Sequence, residues 1–126
     1  EDPAVWRMRG WSRHQLGDYQ GAIADASSAL ALDPSDPTSW NNRAYAKLLL
    51  QDYRGTLEDC AEALQLDPRF AKSYRNRGQA LLRLGRFADA IADFDEALAL
   101  EPGSPQVREW RAEALRAQER SAHKDR

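Results

Sequence analysis

Charged side chains recur along this sequence at a fixed step, and they are the groups best placed to do chemistry. Arg9, Arg43, Arg77 and Arg111 stand 34 residues apart, and Asp25, Asp59 and Asp93 keep the same step. A guanidinium and a carboxylate brought together make charge-assisted hydrogen bonds, so the chemistry suggested is structural pairing and not turnover. There are four arginines and three aspartates, and the last arginine follows the last aspartate. That order suggests forward pairing from one unit to the next: Asp25 with Arg43, Asp59 with Arg77, Asp93 with Arg111. Arg9 is then left over, facing a groove or an acid further upstream. Other reactive groups are sparse. His14 and His123 are the only histidines, with no second ligand at metal spacing. Cys60 is the only cysteine, which excludes an internal disulfide, and no histidine of its own repeat accompanies it as a base. Asp93, Asp95 and Glu96 read as a solvated face and not as an acid/base pair. No glycine-rich phosphate loop is present. The expectation is a non-enzyme with no cofactor and no metal.

What positions these groups is a repeated helical unit. Tyr19, Ala29 and Pro34 are followed 34 residues on by Tyr53, Ala63 and Pro68, and again by Phe87, Ala97 and Pro102. Trp6, Trp40 and Tyr74 keep the step, as do Gly10, Ala44 and Gly78. A period of this size marks a solenoid, in which one unit cannot bury its apolar face alone. Proline, glycine and aspartate punctuate each unit, predicting helices over 3–16, 19–32, 37–50, 53–66, 71–84 and 87–100. A seventh, from 105 to about 118, carries Val107, Trp110, Ala114 and Leu115 on one stripe and is expected to cap the array. The domain reading is a single unit over 1–120, with repeats 3–36, 37–70 and 71–104, and a frayed polar tail at 119–126. Two departures stand out. Gln51 occupies the place of Gly17 and Gly85, so its turn must tolerate a side chain. Ala26 and Cys60 occupy the place of Phe94, predicting looser packing in the first two repeats.

In their register over residues 3–104, these marks resemble the tetratricopeptide repeat (TPR) family. The resemblance implies an all-α, right-handed superhelix (a TPR solenoid) of three helical hairpins and a C-terminal capping helix. It also implies that first helices line a concave groove and second helices form the convex back. The segments read as first helices carry Arg7, Arg9, Arg13, Arg43, Lys47, Lys72, Arg75, Arg77 and Arg83 and no acid, while the second helices are acidic. The net charge of -2 then conceals a basic groove suited to an extended acidic peptide or a C-terminal carboxylate. Set beside the carboxylate clamp of chaperone-binding TPR domains, Asn42 and Lys72 match clamp positions. Arg7 keeps the charge of a clamp lysine, Trp11 stands where asparagine is expected, and Asn76 where a lysine or arginine is expected. Trp11, Tyr45 and Gln79 keep the 34-residue step at a place expected to face the groove.

The expected peptide-binding set is therefore Arg7, Trp11, Asn42, Tyr45, Lys72, Arg75, Asn76 and Gln79. The reading is a protein-interaction module. The alternatives are a segment of a longer scaffold used for assembly or self-association, and a co-chaperone domain with a carboxylate clamp. Nucleic acid is disfavoured, because only Trp11 and Tyr45 offer stacking faces among the groove cations. No apolar run reaches the roughly 18–20 residues of a spanning helix, so no membrane partner is expected, and a cytoplasmic location is.

Overall fold

A computed structural model of the chain describes residues 2–124 as seven helices. They are α1 (Pro3–Gln15), α2 (Tyr19–Leu32), α3 (Pro37–Leu49), α4 (Tyr53–Leu66), α5 (Ala71–Arg83), α6 (Phe87–Leu100) and α7 (Pro105–Lys124). The first four start at short acidic side chains that satisfy free helical N–H groups, whereas α5 and α6, preceded by Phe70 and Arg86, have no side-chain cap. The carboxylates of Asp2, Asp18, Asp36 and Asp52 accept from the N–H of Ala4, Gly21, Thr38 and Gly55 at 2.9, 2.9, 3.1 and 3.0 Å. Proline opens α1 and α3, where its missing N–H costs nothing. Within each hairpin the turn residue has a left-handed backbone: Gly17 at φ 83°, Gln51 at φ 66° and Gly85 at φ 79°. Gln51 thus does hold a glycine-type position.

The tail differs from expectation. Instead of fraying at 119, α7 continues to Lys124, and only residues 125–126 of the expected tail lie outside the described residues. The segment after Gln118 contains neither glycine nor proline, and Lys124 places positive charge at the C-terminal end of the helix dipole.

Helices pair as α1 with α2, α3 with α4 and α5 with α6, and the pairs stack in sequence with α7 laid against α6. Alanines at Ala29, Ala44, Ala46, Ala63, Ala80 and Ala90 are buried along the seams and let the helices approach closely. The larger apolar core gathers in the third repeat, where Phe94, Leu81, Leu82, Val107 and Ala114 pack together under Trp110. Gly78 makes room for it, since a Cβ there would stand 2.6 Å from Phe94 Cε1. In the first repeat, where Ala26 replaces that phenylalanine, a small cleft opens beside Gly10, Ala22 and Ala26. In α3 and α5 the repeat aromatic ties the helix to the loop before it. Trp40 Nε1–H donates to the Pro34 carbonyl at 2.8 Å, and the Tyr74 hydroxyl to the Pro68 carbonyl at 2.9 Å. Arg108, one step further on, donates to the Pro102 carbonyl in the same way. Among the described residues no helix is long and apolar enough to cross a membrane.

Candidate functional site

The recurring arginines and aspartates do meet, but within a repeat and not between repeats. Arg9 donates to both carboxylate oxygens of Asp25 at 3.0 and 2.8 Å, Arg43 to Asp59 at 2.8 and 2.8 Å, and Arg77 to Asp93 at 2.8 and 2.9 Å. The expected forward pairs, Asp25 with Arg43, Asp59 with Arg77 and Asp93 with Arg111, are therefore corrected. Arg9 is not left over, and Arg111 instead donates to Asp95.

The reason is the hairpin geometry. Gly17, Gln51 and Gly85 each lie eight residues from the arginine before and the aspartate after. Folding two antiparallel helices about that turn places the partners opposite one another. Each guanidinium also lies over the ring of the repeat aromatic three residues earlier, at 4.7 Å for Arg9 and Trp6, 5.0 Å for Arg43 and Trp40, and 5.7 Å for Arg77 and Tyr74. Hydrogen bonds from Arg9, against the opposing effect of burial and with help from the Arg13 charge, hold the Asp25 carboxyl below its ordinary value.

These pairs consume most of the first-helix charge. Arg13 also reaches Asp25 at 3.2 Å, Lys47 reaches Asp59 at 3.0 Å, and Arg83 stands 3.7 Å from Glu113. Arg7 donates to Asp36 at 2.7 Å. Burial disfavours the charged Asp36, yet hydrogen bonds from Arg7, Ser39 and the Thr38 N–H outweigh it and hold its carboxyl below the ordinary value. Of the nine first-helix cations, only Lys72 and Arg75 have no acidic partner among the described residues. The expected basic groove thus narrows to one local cationic wall on α5.

Both lie in a groove of about 410 Å³ formed by α1, α3 and α5. Seven of the eight expected residues line it: Arg7, Trp11, Asn42, Tyr45, Lys72, Arg75 and Asn76. Gln79 does not, because it lies a further turn along α5. Met8, Ser12, Thr38 and Asn41 complete the lining. Asn76 is present as floor and not as an exposed contact. It is 1% exposed and donates its amide to Asn41 Oδ1 at 3.0 Å, which also accepts from Ser73 at 2.8 Å; its own Oδ1 is buried without a partner.

One wall of the groove is aromatic. His14 stacks on Trp11 at 5.1 Å and on Tyr45 at 4.6 Å, with Tyr19 edge-on at 5.2 Å. Both its ring nitrogens are buried without a hydrogen bond, and burial lowers its pKa. Trp11 is 44% exposed above this stack and Met8 67%. His14 was missed as the backing of the aromatic wall; its position three residues after Trp11, on the same helix face, was the available signal. Elsewhere, Cys60 is buried and desolvation pushes its thiol up to about 12, which leaves it inert at neutral pH. Among the described residues no group of three or more His, Cys, Asp or Glu could hold a metal ion.

Residues 48–118 match a family model described as Tetratricopeptide repeat, and residues 10–51 one described as TPR repeat. No curated protein matches the chain. Among solved structures, the chain is similar to the Arabidopsis OM64 TPR domain, with 28% identity, 89% of this chain and 93% of that one covered, and a TM-score of 0.87. It is similar to the second TPR domain of human RPAP3 in complex with the HSP70 peptide SGPTIEEVD, at 31% identity, 90% and 98% coverage and a TM-score of 0.83. It is also similar to the first TPR of Spaghetti (RPAP3) bound to the HSP90 peptide SRMEEVD, at 26% identity, 93% coverage of both chains and a TM-score of 0.90.

Proposed function

The chain belongs to the tetratricopeptide repeat family, whose domains are non-catalytic interaction modules, and we propose that it binds an extended acidic peptide in the groove of α1, α3 and α5. The observation that carries this reading is the pair of cations, Lys72 and Arg75, that line the groove without an acidic partner among the described residues. An acidic ligand supplies the charge they lack, and the aromatic wall across from them supplies apolar contact area. The similar RPAP3 and Spaghetti domains, bound to peptides that contain Glu-Glu, support the ligand class. A complete carboxylate clamp has less support. Of its five positions, Arg7 is held by Asp36, Trp11 is an aromatic surface and Asn76 is buried, which leaves Asn42 and Lys72.

Titration of the chain with labelled acidic peptides and with neutral scrambled controls tests the proposal. Acidic peptides should bind better and weaken with salt, since exposed charges are screened over about 8 Å at physiological ionic strength. The Lys72→Ala, Arg75→Ala double variant should lose about tenfold in affinity. Equal binding of neutral controls, or an unchanged affinity in the double variant, refutes it.

A second reading, a segment of a longer scaffold used for assembly or self-association, is suited by the apolar face of α1. Val5 is 61% exposed, whereas Ser39 and Ser73, one and two steps on, are buried at 1% and 0% against the preceding repeat. Concentration-dependent sedimentation that Val5→Ser abolishes would support this role, and a single monomeric species at all concentrations would end it.

A further inference from the structure

Granted the acidic-peptide reading above, we propose that the groove recognises an internal segment of its partner, one acidic side chain on Lys72 and Arg75 and one large apolar or aromatic side chain on Trp11 and Met8, and that a free C-terminal carboxylate is not required. The two walls differ in kind. On α5, Lys72 and Arg75 are the cations without an acidic partner among the described residues. On α1, the one cation that lines the groove is Arg7, and Asp36 holds it at 2.7 Å while Asp36 also accepts from Ser39 and the Thr38 N–H. A ligand carboxylate arriving at α1 would have to displace that anion from a site that caps α3. What α1 presents instead is the Trp11 ring and the Met8 thioether, 44% and 67% exposed.

Trp11 is well suited to hold an apolar side chain. Its ring is backed by His14 at 5.1 Å, and His14 by Tyr45 at 4.6 Å, so its orientation is set before a ligand arrives. A pre-set aromatic surface loses little freedom on binding, which is why such residues dominate interface energies. A terminal carboxylate would gain nothing there, because an indole face repels an anion. The walls stand two helix spacings apart, at about 8–10 Å each. Subtracting the reach of the Trp11 and Lys72 side chains, an extended chain rising about 3.3 Å per residue puts its apolar and acidic residues about three to five positions apart.

The probes are short synthetic peptides in a Gly/Ser/Thr background carrying a Glu-Glu pair and a Phe, at the three spacings, each made with a free C-terminus and as the C-terminal amide. Fluorescence anisotropy against the full 126-residue chain gives the dissociation constants. At the best spacing, amidation should change Kd by less than about twofold, and replacing the Phe by Ala should weaken binding about fivefold or more. Trp11→Ala should cause the same loss and Trp11→Phe restore most of it, with helical circular dichroism confirming that both variants fold. Amidation that weakens binding about tenfold overturns the inference and leaves a terminal-carboxylate reader. Indifference to the Phe, or to Trp11→Ala, overturns it too. If neither the free nor the amidated acidic peptides outbind neutral controls, the acidic-peptide reading itself falls, and this inference with it.

Discussion

Replacing Asp59 by Asn should destabilise the protein more than the same change at Asp25, although the two occupy equivalent places. Asp59 is 3% exposed and anchors two cations, Arg43 through bonds of 2.8 and 2.8 Å and Lys47 at 3.0 Å. The side chains of Arg43 and Lys47 are only 20% and 19% exposed, so neither can fully return to water when the carboxylate is neutralised. Breaking a buried ion pair costs about 3–5 kcal/mol. Residual exposure, and the acceptor that Asn retains, bring the estimate to about 2–3 kcal/mol. At about 2.1 cal/mol/K of unfolding entropy per residue, the thermal midpoint should fall by about 8–11 °C.

At Asp25 the partners Arg9 and Arg13 are 51% and 38% exposed and can be solvated where they stand. There the loss should be about 1 kcal/mol, or about 4 °C. Thermal melts followed by circular dichroism on the two single variants decide the ranking. A double-mutant cycle decides the pairing: Asp59→Asn with Arg43→Gln should be non-additive by more than about 1 kcal/mol, and Asp59→Asn with Arg77→Gln additive within about 0.5. Equal losses at Asp25 and Asp59 would refute the reasoning from exposure, and coupling to Arg77 in place of Arg43 would refute the assignment of pairs.

Two further outcomes are expected. Gln51→Gly relieves a left-handed backbone at φ 66° and should raise the thermal midpoint by about 4 °C, from about 1 kcal/mol of strain; no gain in the melt would mean that the Gln51 side chain makes an offsetting contact. His14 should make the protein sensitive to acid. Burial lowers its folded pKa from 6.5, so its neutral form is the one the fold favours. Above pH 6.5 that contribution is complete; as pH falls below 6.5 the unfolded chain takes up the proton first and stability declines until the folded pKa is passed. Urea midpoints measured from pH 7.5 to 5, an interval of about one pKa unit either side of an ordinary histidine, should show the decline, and His14→Leu should flatten it; an equal decline in the variant would place the effect elsewhere.

The helices were legible because their ends are written in chemistry that acts locally: aspartate caps, Pro37 and Pro105 at helix starts, and glycine in the hairpin turns. The ion pairs were legible as a set but not in their partnering. Asp25 lies 16 residues after Arg9 and 18 before Arg43, so spacing alone cannot choose; only the position of the turn at Gly17, midway between the first two, could have. The groove lining was legible from repeat register, since Trp11 and Tyr45 occupy one face of successive first helices. Its electrostatics were not, because whether Arg7 is available depends on Asp36, which caps the next helix. Nor did residue type reveal that Asn76 lies in the floor and His14 within an aromatic stack. Those are properties of packing between helices that sequence distance keeps apart.

Because the arginine, its aspartate and its aromatic plate all reside in one hairpin, each 34-residue unit is close to electrically self-contained. Duplicating or deleting a whole unit would strand no carboxylate and no guanidinium of these sets. Had the pairs run forward across the seams, every change in repeat number would leave an orphaned charge at the breakpoint. Ser73, Asn41 and Asn76, and the reach of Arg43 to Ser27, cross a seam through small neutral partners that water can replace. The charged contacts that cross one, Arg7 on Asp36 and, at the cap, Arg111 on Asp95 and Arg83 on Glu113, lie outside these repeated sets. An array wired in this way can lengthen or shorten by recombination without breaking any of its repeated arginine–aspartate pairs.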